Sequence, residues 1–220
     1  MKKTTLLSIT SAACFATVCN AAVIADYNFS GYTGGDPSGT YSTTDSLDSN
    51  ITSTSVVVAG ALEEGGNGSY TGELNMASWN LTTAGLTINL VVADGFELDL
   101  DSVVLNIARN GTGASDTFEL NLGATQLATI GTGVMDIHNG GSGAMAGSPT
   151  HNEAFALTGV SAAQNLTGSI ALTIDDLDGL AGNVRMNDLV VNGTITAVPE
   201  PSSTALLGLG GLALIMRRRK

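Results

Sequence analysis

Cysteine is missing from most of this 220-residue chain. Its two cysteines, Cys14 and Cys19, stand near the start. Everything after them is without a disulfide, a reactive thiol or a cysteine-ligated metal. Cations are almost as scarce. Between Val23 and Val198 only Arg109 and Arg185 face nineteen carboxylates. A body so acidic has nothing to neutralise phosphates, which excludes nucleic acid as a partner. Its charge serves solubility and self-repulsion outside a cell first, and cation binding second. No Pro- or Ser-rich linker divides this span, so it reads as one domain with its own core. Sustained helical periodicity is absent too.

What is present is alternation. Ala25, Tyr27 and Phe29 alternate with Asp26 and Asn28 in a first strand, and Gly31 to Asn50 reads as a long loop. Ile51 to Leu62 is β-branched and strand-like. Tyr70 to Leu81 carries the only tryptophan, Trp79. Leu86, Ile88, Leu90 and Val92 alternate up to an Asp94-Gly95 turn. Phe96, Leu98 and Leu100 follow, Asp101-Ser102 shifts the phase, and Val103, Leu105 and Ile107 run on to Arg109. Phe118 to Leu122, Leu127 to Ile130, Ala154 to Thr158, Ile170 to Ile174 and Leu189 to Thr196 complete the set, with an irregular stretch at His138 to Asn152. About ten short strands between Gly/Asn/Asp turns predict an all-β, antiparallel β-sandwich, jelly-roll-like in connectivity. A β-helix would need a fixed repeat period, and none is visible.

The two ends read differently from the body. Lys2 and Lys3, an apolar region from Leu6 to Val18 and small residues at Ala21-Ala22 predict a cleaved signal peptide over residues 1–21. Residues 22–197 are then the exported domain. Residues 198–220 hold three parts in order: Pro199-Glu200-Pro201, an apolar run from Ala205 to Met216, and the cations Arg217, Arg218, Arg219 and Lys220. As a helix the apolar run is about 18 Å long against a hydrocarbon core of about 30 Å. Borrowing Ser202 to Thr204 and letting the arginines snorkel brings it to a tight transmembrane fit. The basic end stays cytoplasmic, which puts everything before it outside. A plain anchor leaves the Pro-Glu-Pro triplet unexplained, and a GPI signal would not end in four cations.

That order of triplet, glycine-broken apolar run and terminal arginines resembles the PEP-CTERM sorting signal of Gram-negative bacteria. The resemblance covers Val198 to Lys220 and implies recognition and processing by a membrane enzyme, exosortase. It also implies transient residence in the inner membrane, then delivery to the cell surface or exopolysaccharide matrix. Arg185-Met-Asn-Asp-Leu-Val-Val-Asn-Gly-Thr-Ile resembles the closing strand often found before this tag, with the usual Asp-Asn order reversed at Asn187-Asp188.

Candidate chemistry inside the body is sparse. Glu97, Asp99 and Asp101 would line one strand face about 7 Å apart, a wet face before a cation or acid/base site. Asp175, Asp176 and Asp178 invite a calcium reading. An EF-hand counted from Asp176 fails at Leu180 and Ala181, which leaves a structural calcium on the turn as the alternative to no cofactor at all. His138 and His151 lie too far apart for a local zinc motif. No Gly-x-Ser-x-Gly elbow or phosphate loop appears. Arg109 and Arg185 suit structural ion pairs, or recognition of a sugar or carboxylate. Trp79 suits the core, or with Tyr27, Tyr32, Tyr41 and Tyr70 a platform for stacking sugar rings. The expectation is a non-enzymatic protein of the cell surface or exopolysaccharide matrix. A carbohydrate-binding module of the same fold, stabilised by calcium or not, is the alternative.

Overall fold

The computed structural model describes residues 21–29, 39–41, 44–59, 74–76, 85–114, 117–131, 151–176 and 181–198. Within these, the side chains of 59, 75–76, 108–114, 151, 176 and 181–183 fall outside the description. The strands are β1 (Ala22–Asn28), β2 (Gly39–Tyr41), β3 (Ser46–Leu47), β4 (Ile51–Ala59), β5 (Leu74–Met76) and β6 (Gly85–Val92). They continue with β7 (Phe96–Ala114), β8 (Thr117–Leu122), β9 (Thr125–Gly131), β10 (His151–Ala156), β11 (Ser169–Asp176) and β12 (Ala181–Ala197). A single 3-10 turn, Ser161–Ala163, is the only helical element among the described residues.

Two antiparallel six-stranded sheets result. One runs β10-β7-β12-β1-β3, with β5 paired to β12 beyond the end of β1; the other runs β2-β4-β6-β11-β8-β9. The expected antiparallel β-sandwich is therefore what the chain builds. Strict alternation explains why. In β6, Leu86, Ile88, Leu90 and Val92 are buried while Thr87, Asn89 and Val91 are half-exposed, so one face of the strand joins the core and the other meets water. Inner faces of both sheets converge on one cluster, from Tyr27 and Phe29 through Leu105 and Phe118 to Phe155 and Val191. Burying each large apolar side chain contributes about 2 kcal/mol, which a domain without disulfides depends on.

The long partners β7 and β12 form the spine, paired from Ala181↔Ala114 to Ala197↔Phe96. The phase change at Asp101-Ser102 is real. Leu98 and Leu100 are buried before it, Val103, Leu105 and Ile107 after it, and the register slips opposite Asn192 and Gly193. One extra residue there keeps apolar side chains inward along a single strand.

Other boundaries depart from the sequence reading. The stretch from Gly31 to Asn50, expected to be loop throughout, contains the short edge strands β2 and β3. His151 and Asn152, expected in an irregular segment, open β10 opposite Ile107 and Asn106. In both places pairing to a neighbour supplies the strand character that local composition lacks. Most of the strand expected over Tyr70 to Leu81 lies outside the described residues, as does His138. Within it Leu74–Met76 pairs with β12.

Candidate functional site

The chain leaves the sandwich without slack. Ala197 is still paired to Phe96, and the next residue, Val198, donates its backbone N–H to the carbonyl of Gly95 at 2.8 Å. Gly95 sits in the tight turn between β6 and β7 at φ 81°, a left-handed conformation that glycine adopts without strain. Leu166 closes the same end of the fold. Its N–H donates to Leu98 at 2.9 Å and its carbonyl accepts from Leu98 at 2.8 Å, with Gly168 accepting from Val92 at 2.9 Å. A pocket of about 350 Å³ opens between the Ala93–Phe96 turn, Thr167, Gly168 and Val198. The expected processing motif begins one residue beyond this rim.

A second polar constellation lies on the outer face of the first sheet. The register aligns Asn152, Asn106, Asp188 and Asn28 in one row across β10, β7, β12 and β1. Asn106 Nδ2 donates to Asn152 Oδ1 at 3.0 Å. Beside the row, Asp26 of β1 stands near Asp188, with Asp45 close by. The Asp45 N–H donates to the Asp26 carbonyl at 2.8 Å, and Asn28 Nδ2 donates to Asp45 Oδ2. Among the described residues no donor reaches the buried Oδ1 of either Asp26 or Asp188. Burial, then the charge of Asp26 and a hydrogen bond shared with its carboxylate, push Asp188 up to about 6; the Leu189 backbone N–H opposes and Asp45 adds to the rise. Asp188 therefore keeps its proton to a higher pH than an ordinary carboxyl. Nothing in the sequence joins Asp26 to Asp188, because only the pairing of the first strand with the last brings them together.

The residues singled out from sequence are only partly within the described structure. Arg185 is 1% exposed, the one buried charged side chain among the described residues, on β12 opposite Ala108 and Asn75. Arg109 lies in β7 opposite Val184, its side chain outside the description. Trp79, Tyr32, Tyr70, Asp178, Pro199-Glu200-Pro201 and Arg217 to Lys220 also fall outside it. Tyr27 cannot join a surface stacking platform, for it is buried in the core, where loss of water drives its phenol well above the ordinary range. Tyr41 packs edge-on against Phe29, ring centroids 5.6 Å apart.

The acidic strand face is structural where its contacts are visible. Asp99 Oδ1 accepts from the N–H of Asn165, a non-glycine residue at φ 55°, and Glu97 Oε1 accepts from Thr196 Oγ1 at 3.5 Å. Asp175 faces Glu119 across the β11–β8 pair, and Asn121 Nδ2 bridges them, donating to Glu119 at 3.0 Å and to Asp175 at 3.2 Å. Asp176 ends β11 with its side chain outside the description. Among the described residues no group of three His, Cys, Asp or Glu side chains is arranged to hold a metal. None of their helices is long and apolar enough to cross a membrane, and the expected span at Ala205 to Met216 lies beyond them.

Fold and exit geometry define an antiparallel β-sandwich whose last strand runs straight into a separate C-terminal signal. That signal is a PEP-CTERM protein-sorting motif, whose family model matches residues 197–220. The match begins at Ala197, inside β12, so motif and sheet share a residue. No curated protein sequence matches the chain significantly. Among solved structures the chain is similar to a xylan-binding module, CBM15, at 10% identity, over 80% of this chain and 98% of that one, with a TM-score of 0.40.

Proposed function

We propose that this is an exported protein, sorted through its PEP-CTERM tail and processed by an exosortase-type membrane enzyme. Its sandwich then serves, without catalysis, at the cell surface or in the exopolysaccharide matrix of a Gram-negative bacterium. The observation that carries this reading is the motif match at residues 197–220, fused to the last strand of a folded body. Excess negative charge and the absence of cysteine from the body suit a secreted domain that relies on packing.

A second reading, a glycan-binding module, has one observation in its favour. The row Asn152, Asn106, Asp188 and Asn28 sets hydrogen-bonding side chains across four strands of an outer sheet face. Sugar hydroxyls take bonds of this kind, and binding there needs no metal.

One truncation addresses both. A chain ending at Val198 is expected to be secreted in folded form and lost from the surface fraction; its continued presence there contradicts the sorting role. The same secreted body, passed over immobilised polysaccharides, is expected to pass through without releasing sugar. Retention that Asn106→Ala abolishes would favour the glycan-binding reading, and sugar release over time would contradict the non-enzymatic one.

A further inference from the structure

The sequence and the exit geometry together fix which end of the sandwich meets the membrane. We infer that the end built from the Ala93–Phe96 turn, Thr167-Gly168 and Val198 rests on the phospholipid headgroup layer while the tail is uncut. The inference rests on the membrane-tail reading above and goes beyond it in assigning an interaction surface.

Chain length carries the argument. Val198 is held to Gly95, and the apolar run starts at Ala205, so six residues join the folded body to the span. Whatever their conformation, they reach at most about 25 Å. If Ser202 to Thr204 enter the membrane to lengthen the short span, only Pro199 to Pro201 remain, a reach of about 14 Å. The headgroup layer itself takes up about 5–7 Å of either distance. By contrast β12 extends for 17 residues away from this end, about 50 Å, which holds the opposite end clear of lipid.

Two further features agree with that orientation. Strand β1 begins with Ala22 opposite Gly193, so the expected signal-peptide junction emerges on the same half of the sheet as the tail. All three exposed large apolar side chains among the described residues, Val23, Leu47 and Val198, also lie on this half, at the level of Val191 and Asn192 or beyond. Asp94 is exposed on the turn.

Headgroup quenching tests the assignment. The full-length chain, with Cys14 and Cys19 replaced by serine, receives one cysteine for a fluorescent maleimide. Asp94→Cys places the dye at the tail end. Thr129→Cys places it on β9 opposite Glu119, about 20 Å farther along the sheet. Vesicles of phosphatidylethanolamine and phosphatidylglycerol carry a nitroxide on some headgroups. The expected result is flotation of both proteins and quenching several-fold stronger at position 94. A Gly/Ser linker of twelve residues inserted between Val198 and Pro199 should abolish that difference while flotation persists. Flotation with equal quenching at 94 and 129 would overturn the orientation alone. Failure to float would overturn the membrane-tail reading and the orientation with it.

Discussion

Gly193→Ala is expected to lower the stability of the body by about 3 kcal/mol, the upper end of what overpacking costs. Gly193 lies where β12 slips register against β7, with Ala22 on one side and Leu100 on the other. A β-carbon there would come within 2.4 Å of the Asp99 carbonyl oxygen, 3.1 Å of Leu98 Cδ1 and 3.3 Å of the Asp99 carbonyl carbon. The nearest obstacle is backbone, so no rotamer change relieves it. Strand β12 is paired on both sides and cannot step away without breaking one ladder. Denaturant midpoints of the variant and of Thr194→Ala, expected within about 0.5 kcal/mol of the parent, check this. A Gly193→Ala protein as stable as the parent would mean that the spine slides freely, against the pairing described.

Asp188→Asn should act through pH. A carboxyl whose folded value is raised from 3.8 to about 6 binds its proton more tightly in the folded state. Its favourable contribution is therefore fully present below about pH 4 and is lost as pH rises through 6. Above that the folded state holds Asp188 charged beside Asp26, with Asp45 adding to the repulsion. The amide variant cannot ionise and can donate to the Asp26 carboxylate. It should lose the parent's decline between pH 4 and 6 and be the more stable protein at pH 7, by about 1 kcal/mol after discounting for solvent screening. Unfolding curves at pH 4, 5, 6 and 7 measure the difference. An Asp188→Asn protein that keeps the slope, or is weaker at pH 7, contradicts the raised value of Asp188.

Alternation made much of the fold legible in advance. Leu86 to Val92 and Ile170 to Ile174 announce which side chains face inward, and the phase slip at Asp101-Ser102 was visible as a break in the pattern. Partner choice was not. A period of two says that a residue faces in or out; it does not say that the first strand lies beside the last, which is what joins Asp26 to Asp188. The enclosure of Arg185 was not legible for a related reason. A guanidinium in a strand carries no mark of its burial, and only the packing of β5 and β7 around β12 shows it. His151 and the short β2 and β3 owe their strand form to a neighbouring ladder rather than to their own composition. The sorting motif was legible because it is a linear order of residue types and needs no fold to be read.

Intact mass spectrometry of the protein recovered from the surface fraction tests that signal most directly. The mature chain is expected to weigh less than the signal-peptide-cleaved precursor by at least its basic end, with Arg217 to Lys220 gone. A surface protein whose mass still includes those four residues would contradict processing through the tail.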